Sequence, residues 1–158
     1  MPQSVPSRRL AVIERIAASV PRGIAERDFA RHYYRGVGEQ DLAERHASDL
    51  AEAAMLHRRL GAARKSRETI VRVFNPSKDR DGFESTHTLV AIVTDDMPFL
   101  VDSIGMVFAA AGVAVHLIVH PVLQVARDAR GRLRSVGTDP LPDGKAEADA
   151  AVRLRTIF

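Results

Sequence analysis

Three aspartates, Asp95, Asp96 and Asp102, and three histidines, His87, His116 and His120, are the side chains here whose types could do chemistry. Neighbouring aspartates can divide acid and base roles when their surroundings push their pKa values apart. With His116 they would suit a small hydrolase or a metal-dependent enzyme. The structural alternative is that one aspartate caps a helix and the others are solvated. His116 and His120 are four apart, so on a straight strand they share a face but lie about 13 Å from each other. That is too far to chelate one ion, and sheet histidines with ordinary partners are the plainer reading. The stretch Thr94 to Ile104 runs from a strand end into a helix start. Such a junction exposes N–H groups and the positive end of the helix dipole, which can hold a small ligand's carboxylate.

Other catalytic signatures are missing from the sequence. No Gly-x-Gly-x-x-Gly follows a strand, and there is no phosphate-binding loop, Gly-x-Ser-x-Gly elbow or His-Glu-x-x-His pair. Gly36-Val37-Gly38 falls between helices and reads as a linker. With no cysteine, a disulfide scaffold, thiolate metal ligands and a cysteine nucleophile are excluded together.

The elements that must position these residues follow from periodicity. Leu10, Ile13, Ala17 and Val20 recur at helical steps from Ser7, a fitting N-cap, to Val20. A second helix is expected over 24–35, with Phe29, Tyr33 and Tyr34 as packing residues. A third, over 39–63, carries Leu42, His46, Leu50, Ala53, Leu56 and Leu60 on one stripe. At about Glu68 the composition turns β-branched. Residues 69–74 form a strand stopped by Asn75-Pro76, and 77–82 are a polar turn. The run 86–94 is nearly continuously apolar, as a strand buried on both faces would be. Asp95-Asp96-Met97-Pro98 opens a helix with an aspartate as cap, and Leu100, Ile104, Val107 and Ala111 form its buried face. Strand follows over 113–125, with a bend or edge at Pro121. Asp128 to Gly131 is a hairpin turn leading into 132–136. The crossover around 86–120 is expected to be right-handed and parallel-paired.

The fold class is therefore α+β, divided into a helical segment 1–66, an α/β domain 67–137 and a weakly patterned, flexible tail 138–158. The 158 residues are 46% hydrophobic, enough for a packed core. No apolar run is long enough for a membrane helix, and the start shows no secretory pattern. Twenty arginines and three lysines face twenty acidic residues, interleaved in sequence rather than gathered on one stretch. A mixed, solvated surface fits that better than a nucleic-acid face. The expectation is a cytoplasmic protein with no nucleic-acid or membrane partner.

Val71 to Pro76, Thr86 to Ser103 and Gly112 to Leu123 together resemble one family. "IVTDDMPFLVDS" and "HLIVHPVL" are its most specific stretches. They are similar to the N-terminal ACT-like region of the large bacterial NAD-specific glutamate dehydrogenases, and the leader from Phe29 to Val37 and Asp41 to Arg64 resembles what precedes it there. The resemblance covers roughly residues 10–136. It implies an ACT-like, ferredoxin-like β-α-β-β sandwich whose second helix and last strand the sequence does not reveal. An incomplete sheet has an open edge that favours pairing with another copy.

The parent enzyme converts L-glutamate, NAD and water to 2-oxoglutarate, ammonia and NADH. Its catalytic and NAD-binding residues have no equivalent here, so the resemblance implies no catalytic, cofactor or metal residue in this segment. It implies a regulatory and oligomerisation role, with downstream domains of the parent, further copies and an amino-acid effector as partners. The effector loop would be Asp95, Asp96, Met97, Pro98, Phe99 and Leu100. Ordinary amino-acid-binding ACT domains have Gly directly after the Pro, where this chain has Phe99. The alternative is a free-standing ACT-type amino-acid sensor or protein-interaction module.

Overall fold

The computed structural model describes residues 7–21, 23–137 and 152–157, the last as backbone alone. The first helix, α1 (Arg8–Ala18), starts where Ser7 accepts the Leu10 amide on its side-chain oxygen. It buries Val12, Ile13, Ile16 and Ala17, while Leu10, expected on that stripe, is exposed. Helix α2 (Ile24–Tyr34) buries Phe29, Ala30, Tyr33 and Tyr34. Arg31 on α2 grips Glu14 of α1 through two parallel hydrogen bonds of 2.9 and 3.0 Å.

The single helix expected over 39–63 is two, α3 (Glu39–Ala43) and α4 (Ala47–Leu60). A continuous helix would set polar His46 on the buried stripe between Leu42 and Leu50. The chain instead becomes extended at His46, with φ −69° and ψ 131°, and His46 is exposed. Leu42 and Leu50 both stay in the core. Gly61 caps the end of α4.

Six strands form the sheet among the described residues: β1 (Ile70–Phe74), β2 (Leu89–Asp95), β3 (Ile118–Val119), β4 (Val122–Arg127), β5 (Leu133–Gly137) and β6 (Val152–Ile157). The order is β1-β2-β6-β4-β5, with β3 also paired to β6, and every pairing is antiparallel. A one-turn helix, α5 (Lys78–Asp81), replaces part of the expected polar turn between β1 and β2. Helix α6 (Leu100–Ala110) connects β2 to β3.

The sheet departs from expectation in its pairing and in its strand limits. The parallel strands of the crossover do not touch: β2 and β4 are each antiparallel to β6, which lies between them as in a split β-α-β unit. The last strand, unread in the sequence, is β6 itself; its partners lie roughly 30 to 65 residues away. Residues 138–151 and 158 of the expected flexible tail lie outside the described residues. The expected strand 113–125 starts only at Ile118 and is interrupted at His120-Pro121, where Pro121 has no N–H to donate. Its register against β6 is the same on both sides of that gap.

The core lies between helices α1–α4 and one face of the sheet. Ile16, Phe29, Tyr33 and Leu50 meet Leu89, Val93, Val119, Leu123 and Val125 there. Strand β2 is buried along nearly its whole length, as its unbroken apolar run implied. Helix α6 departs from expectation most. None of its residues is buried, Met106 and Val107 are 72% and 67% exposed, and no α6 residue belongs to the core. The core-facing side of the sheet is already filled by the helical layer.

Candidate functional site

The expected effector loop begins at Asp95, the last residue of β2. Its carboxylate does not cap a helix. It forms an ion pair with Nη2 of Arg64, whose side chain is fully buried. The same guanidinium donates through Nε to the carbonyl of Glu68, and its Nη1 has no hydrogen-bond partner among the described residues. Arg64 is itself locked in place, because its backbone N–H donates to the Gly131 carbonyl across 3.0 Å. Gly131 has φ +76°, and a Cβ there would sit 2.2 Å from the Arg64 carbonyl oxygen. Only glycine fits this crossing of the hairpin turn and the α4–β1 connection.

The N-cap of α6 is Phe99, not an aspartate, and no side chain caps the helix. Phe99 has φ +58°, the left-handed region that non-glycine residues enter at a cost of about 1 kcal/mol. The backbone thus adopts here a conformation that glycine would take without strain. Phe99 is 76% exposed and Met97 41%, so the loop offers apolar side chains to its surroundings. Asp102, in the first turn of α6, is exposed and suits the positive end of the dipole.

The catalytic combination of Asp95, Asp96, Asp102 and His116 gains no support from this arrangement. Asp95 is engaged by Arg64, Asp102 is solvated, and the ring of His116 lies against His87, centroids 4.3 Å apart. His120 is exposed beside Pro121. Among the described residues no group of three or more His, Asp or Glu side chains could hold a metal ion. Gly36 and Gly38 lie in the turn between α2 and α3, where the sequence placed a linker.

Two buried polar residues escaped the sequence reading. Arg64 left no local signal, since it falls at the composition boundary between helices and strands. His57 sits among the apolar residues of α4 and is fully buried. Its Nε2–H donates to the Ile92 carbonyl of β2 at 3.0 Å, and its Nδ1 accepts the Tyr33 hydroxyl at 2.9 Å. This tautomer is neutral, and burial lowers the His57 pKa to about 4. Burial also raises the Tyr34 phenol well above its ordinary range, while its O–H donates to the Leu50 carbonyl at 2.6 Å. The loop after β1 is fixed by Asp81, whose carboxyl is held below its usual pKa by the Arg80 guanidinium and by the Ser77 amide.

A helical layer on an antiparallel sheet, with a split β-α-β unit and a strand-to-helix loop ending at Pro98 and Phe99, is the architecture of an ACT-type α+β domain. The chain matches the family described as glutamate dehydrogenase, ACT1 domain, over residues 29–156, and belongs to that family. It is 33% identical over 123 residues to an NAD-specific glutamate dehydrogenase of Pseudomonas aeruginosa, covering 78% of this chain and 7% of that protein. It is 38% identical over 84 residues to an NAD-specific glutamate dehydrogenase of Halomonas elongata, covering 53% of this chain and 5% of that protein. The chain therefore spans only a small fraction of the length of these relatives. No solved structure matches it. No helix among the described residues is long and apolar enough to cross a membrane.

Proposed function

We propose that this chain is the N-terminal, non-catalytic assembly and regulatory segment of a NAD-specific glutamate dehydrogenase, the enzyme that deaminates L-glutamate with NAD. The names of its relatives and the small share of their length that it spans support this reading. One observation carries the assembly role. Helix α6 has one charged residue in eleven, yet none of its side chains is buried. A solvated helix of that composition exposes apolar surface with no return, and a partner surface would remove it from water. Val71 and Val73, on the outer face of β1, are apolar side chains that are also exposed, at 56% and 63%. The partner is another part of the parent enzyme or a second copy of it.

The test is sedimentation of the 158-residue chain and of the parent enzyme carrying Met106→Glu and Val107→Lys. The charged variants should leave the circular dichroism of the chain unchanged and weaken assembly of the enzyme. If the doubly substituted enzyme sediments like the unsubstituted one, α6 is not an interface. Titrating the chain with NAD should give no binding heat.

The effector role of the loop from Asp95 to Leu100 belongs to the same proposal. An amino acid docking there would meet the uncapped start of α6 and the strained Phe99 backbone. A panel of amino acids tested by thermal shift, with Phe99→Gly compared, decides it: no shift, or only a shift that Phe99→Gly leaves unchanged, removes the effector role of this loop.

A further inference from the structure

A cavity of about 360 Å³ opens at the seam between the helical layer and the loop that leads into β2. It is separate from the loop at the start of α6, and nothing in the assembly reading uses it. Its floor is apolar, since Leu50 and Phe83 are each 2% exposed. Its rim comes from two distant stretches, with Glu44, His46 and Asp49 on one side and Glu84, Ser85 and His87 on the other. The break between α3 and α4, absent from the sequence pattern, is what turns His46 out to this rim.

Both walls are set in place by their own contacts. Phe83 is anchored in the core, and two residues before it the nearly buried Asp81 binds Arg80 and the Ser77 amide. Gly82, between them, turns the chain with φ +83° against the side chain of Glu52. Ser85 accepts the His87 amide at 3.0 Å, and the His87 ring rests on His116. A site fixed in advance loses little freedom when a ligand enters.

The charge of the rim selects the ligand. The lining has three carboxylates, Glu44, Asp49 and Glu84, against one guanidinium, Arg45, which already donates to the Asp41 carbonyl. Asp49 is half-buried, and among the described residues neither it nor Glu84 has a hydrogen-bond or ion-pair partner. A half-buried carboxylate gains most from a cation that also donates hydrogen bonds. A bound metal ion is a poor fit, because no suitable ligand group exists among the described residues. An anion would meet the wrong sign. The volume lies at the small end of ligand pockets, which run from about 300 to 1,000 Å³.

We propose that this cavity binds a primary ammonium ligand of amino-acid size, its ammonium group at Asp49 and Glu84 and its carbon skeleton on Leu50 and Phe83. An amino acid with a basic side chain and a short diamine both offer this chemistry.

Thermal shift of the 158-residue chain with L-lysine, putrescine, L-glutamate and magnesium chloride, each at millimolar concentration, tests it. L-Lysine, putrescine or both should raise the melting temperature by about 5 °C near saturation, and anionic L-glutamate should not. A shift with L-lysine alone identifies an amino-acid site; one with putrescine alone identifies a diamine site. Glu84→Gln, on an exposed loop residue, should weaken the response about tenfold, and Asp49→Asn should do the same. No shift with either amine, an equal shift with magnesium chloride, or an unchanged response in both variants overturns the proposal. Assembly is read by sedimentation and this site by the amine response, so either can fail alone.

Discussion

Helices α4 and α6 are of similar length and opposite fate. Helix α4 has four charged side chains in its fourteen residues and buries seven residues, from Leu50 to His57. Helix α6 has one charge in eleven and buries none. Composition alone would assign them the other way round. Burial is set by which face of the sheet a helix can reach and what already occupies it. The helical layer reaches the core face first, and tolerates even His57 there because both ring nitrogens find partners. The apolar character of α6 therefore wins it no place in the core.

The sharpest way to break this comparison is to delete side chains on both helices. Leu50→Ala in α4 should cost about 3 kcal/mol of stability, by removing a fully packed side chain from between two layers. Urea denaturation reads this directly, and a loss below about 1 kcal/mol would mean the helical layer is loosely held.

Next in size is the pH response of His57. Its folded pKa is about 4, below the ordinary value of 6.5, so the folded chain binds fewer protons than the unfolded one between those values. Stability is then fully present above about pH 6.5 and falls by about 3 kcal/mol as the pH drops towards 4. Comparing the chain with His57→Gln at pH 7 and pH 4.5 isolates this contribution from that of the carboxylates. Equal pH slopes in the two proteins would show that His57 is not held neutral.

Smaller effects belong to α6. Phe99→Gly should raise stability by up to about 0.5 kcal/mol, because relief of the left-handed strain slightly outweighs the added freedom of the unfolded chain. A loss would show that Phe99 has a packing partner worth more than its strain. Val107→Ala, the counterpart of Leu50→Ala, should change the stability of the chain by less than about 0.5 kcal/mol, since Val107 is 67% exposed. A larger loss would mean that α6 is covered even in the isolated chain.

Much of the fold was legible from local pattern. Strand β2 announced itself by an unbroken apolar run, α1 by a serine cap, and the turn at Asp128 by its Asp-Ala-Arg-Gly sequence. What failed depended on distant partners. Helix α6 has a helical period and reads as buried, but periodicity cannot say whether the matching surface is already taken. The stripe over 39–63 predicted one helix because local rules do not count the cost of burying His46. Arg64 looked like a boundary residue, and only its crossing with Gly131 and its pairing with Asp95 reveal it as the tie beneath the candidate loop. The aspartates were legible as residue types; the partner that uses up Asp95 was not.

The position of β6 has a consequence for how the chain folds. The pairs β1–β2 and β4–β5 are local and can form early, one side of the sheet independently of the other. Residues 152–157 then insert between them, joining β2 across about sixty residues of sequence. Closure of so long a loop is slow, and until it happens each hairpin carries a bare inner edge. The sheet is thus completed as a zipper is, by its last strand. A chain ended before Val152 should leave two unsealed halves rather than a slightly smaller domain.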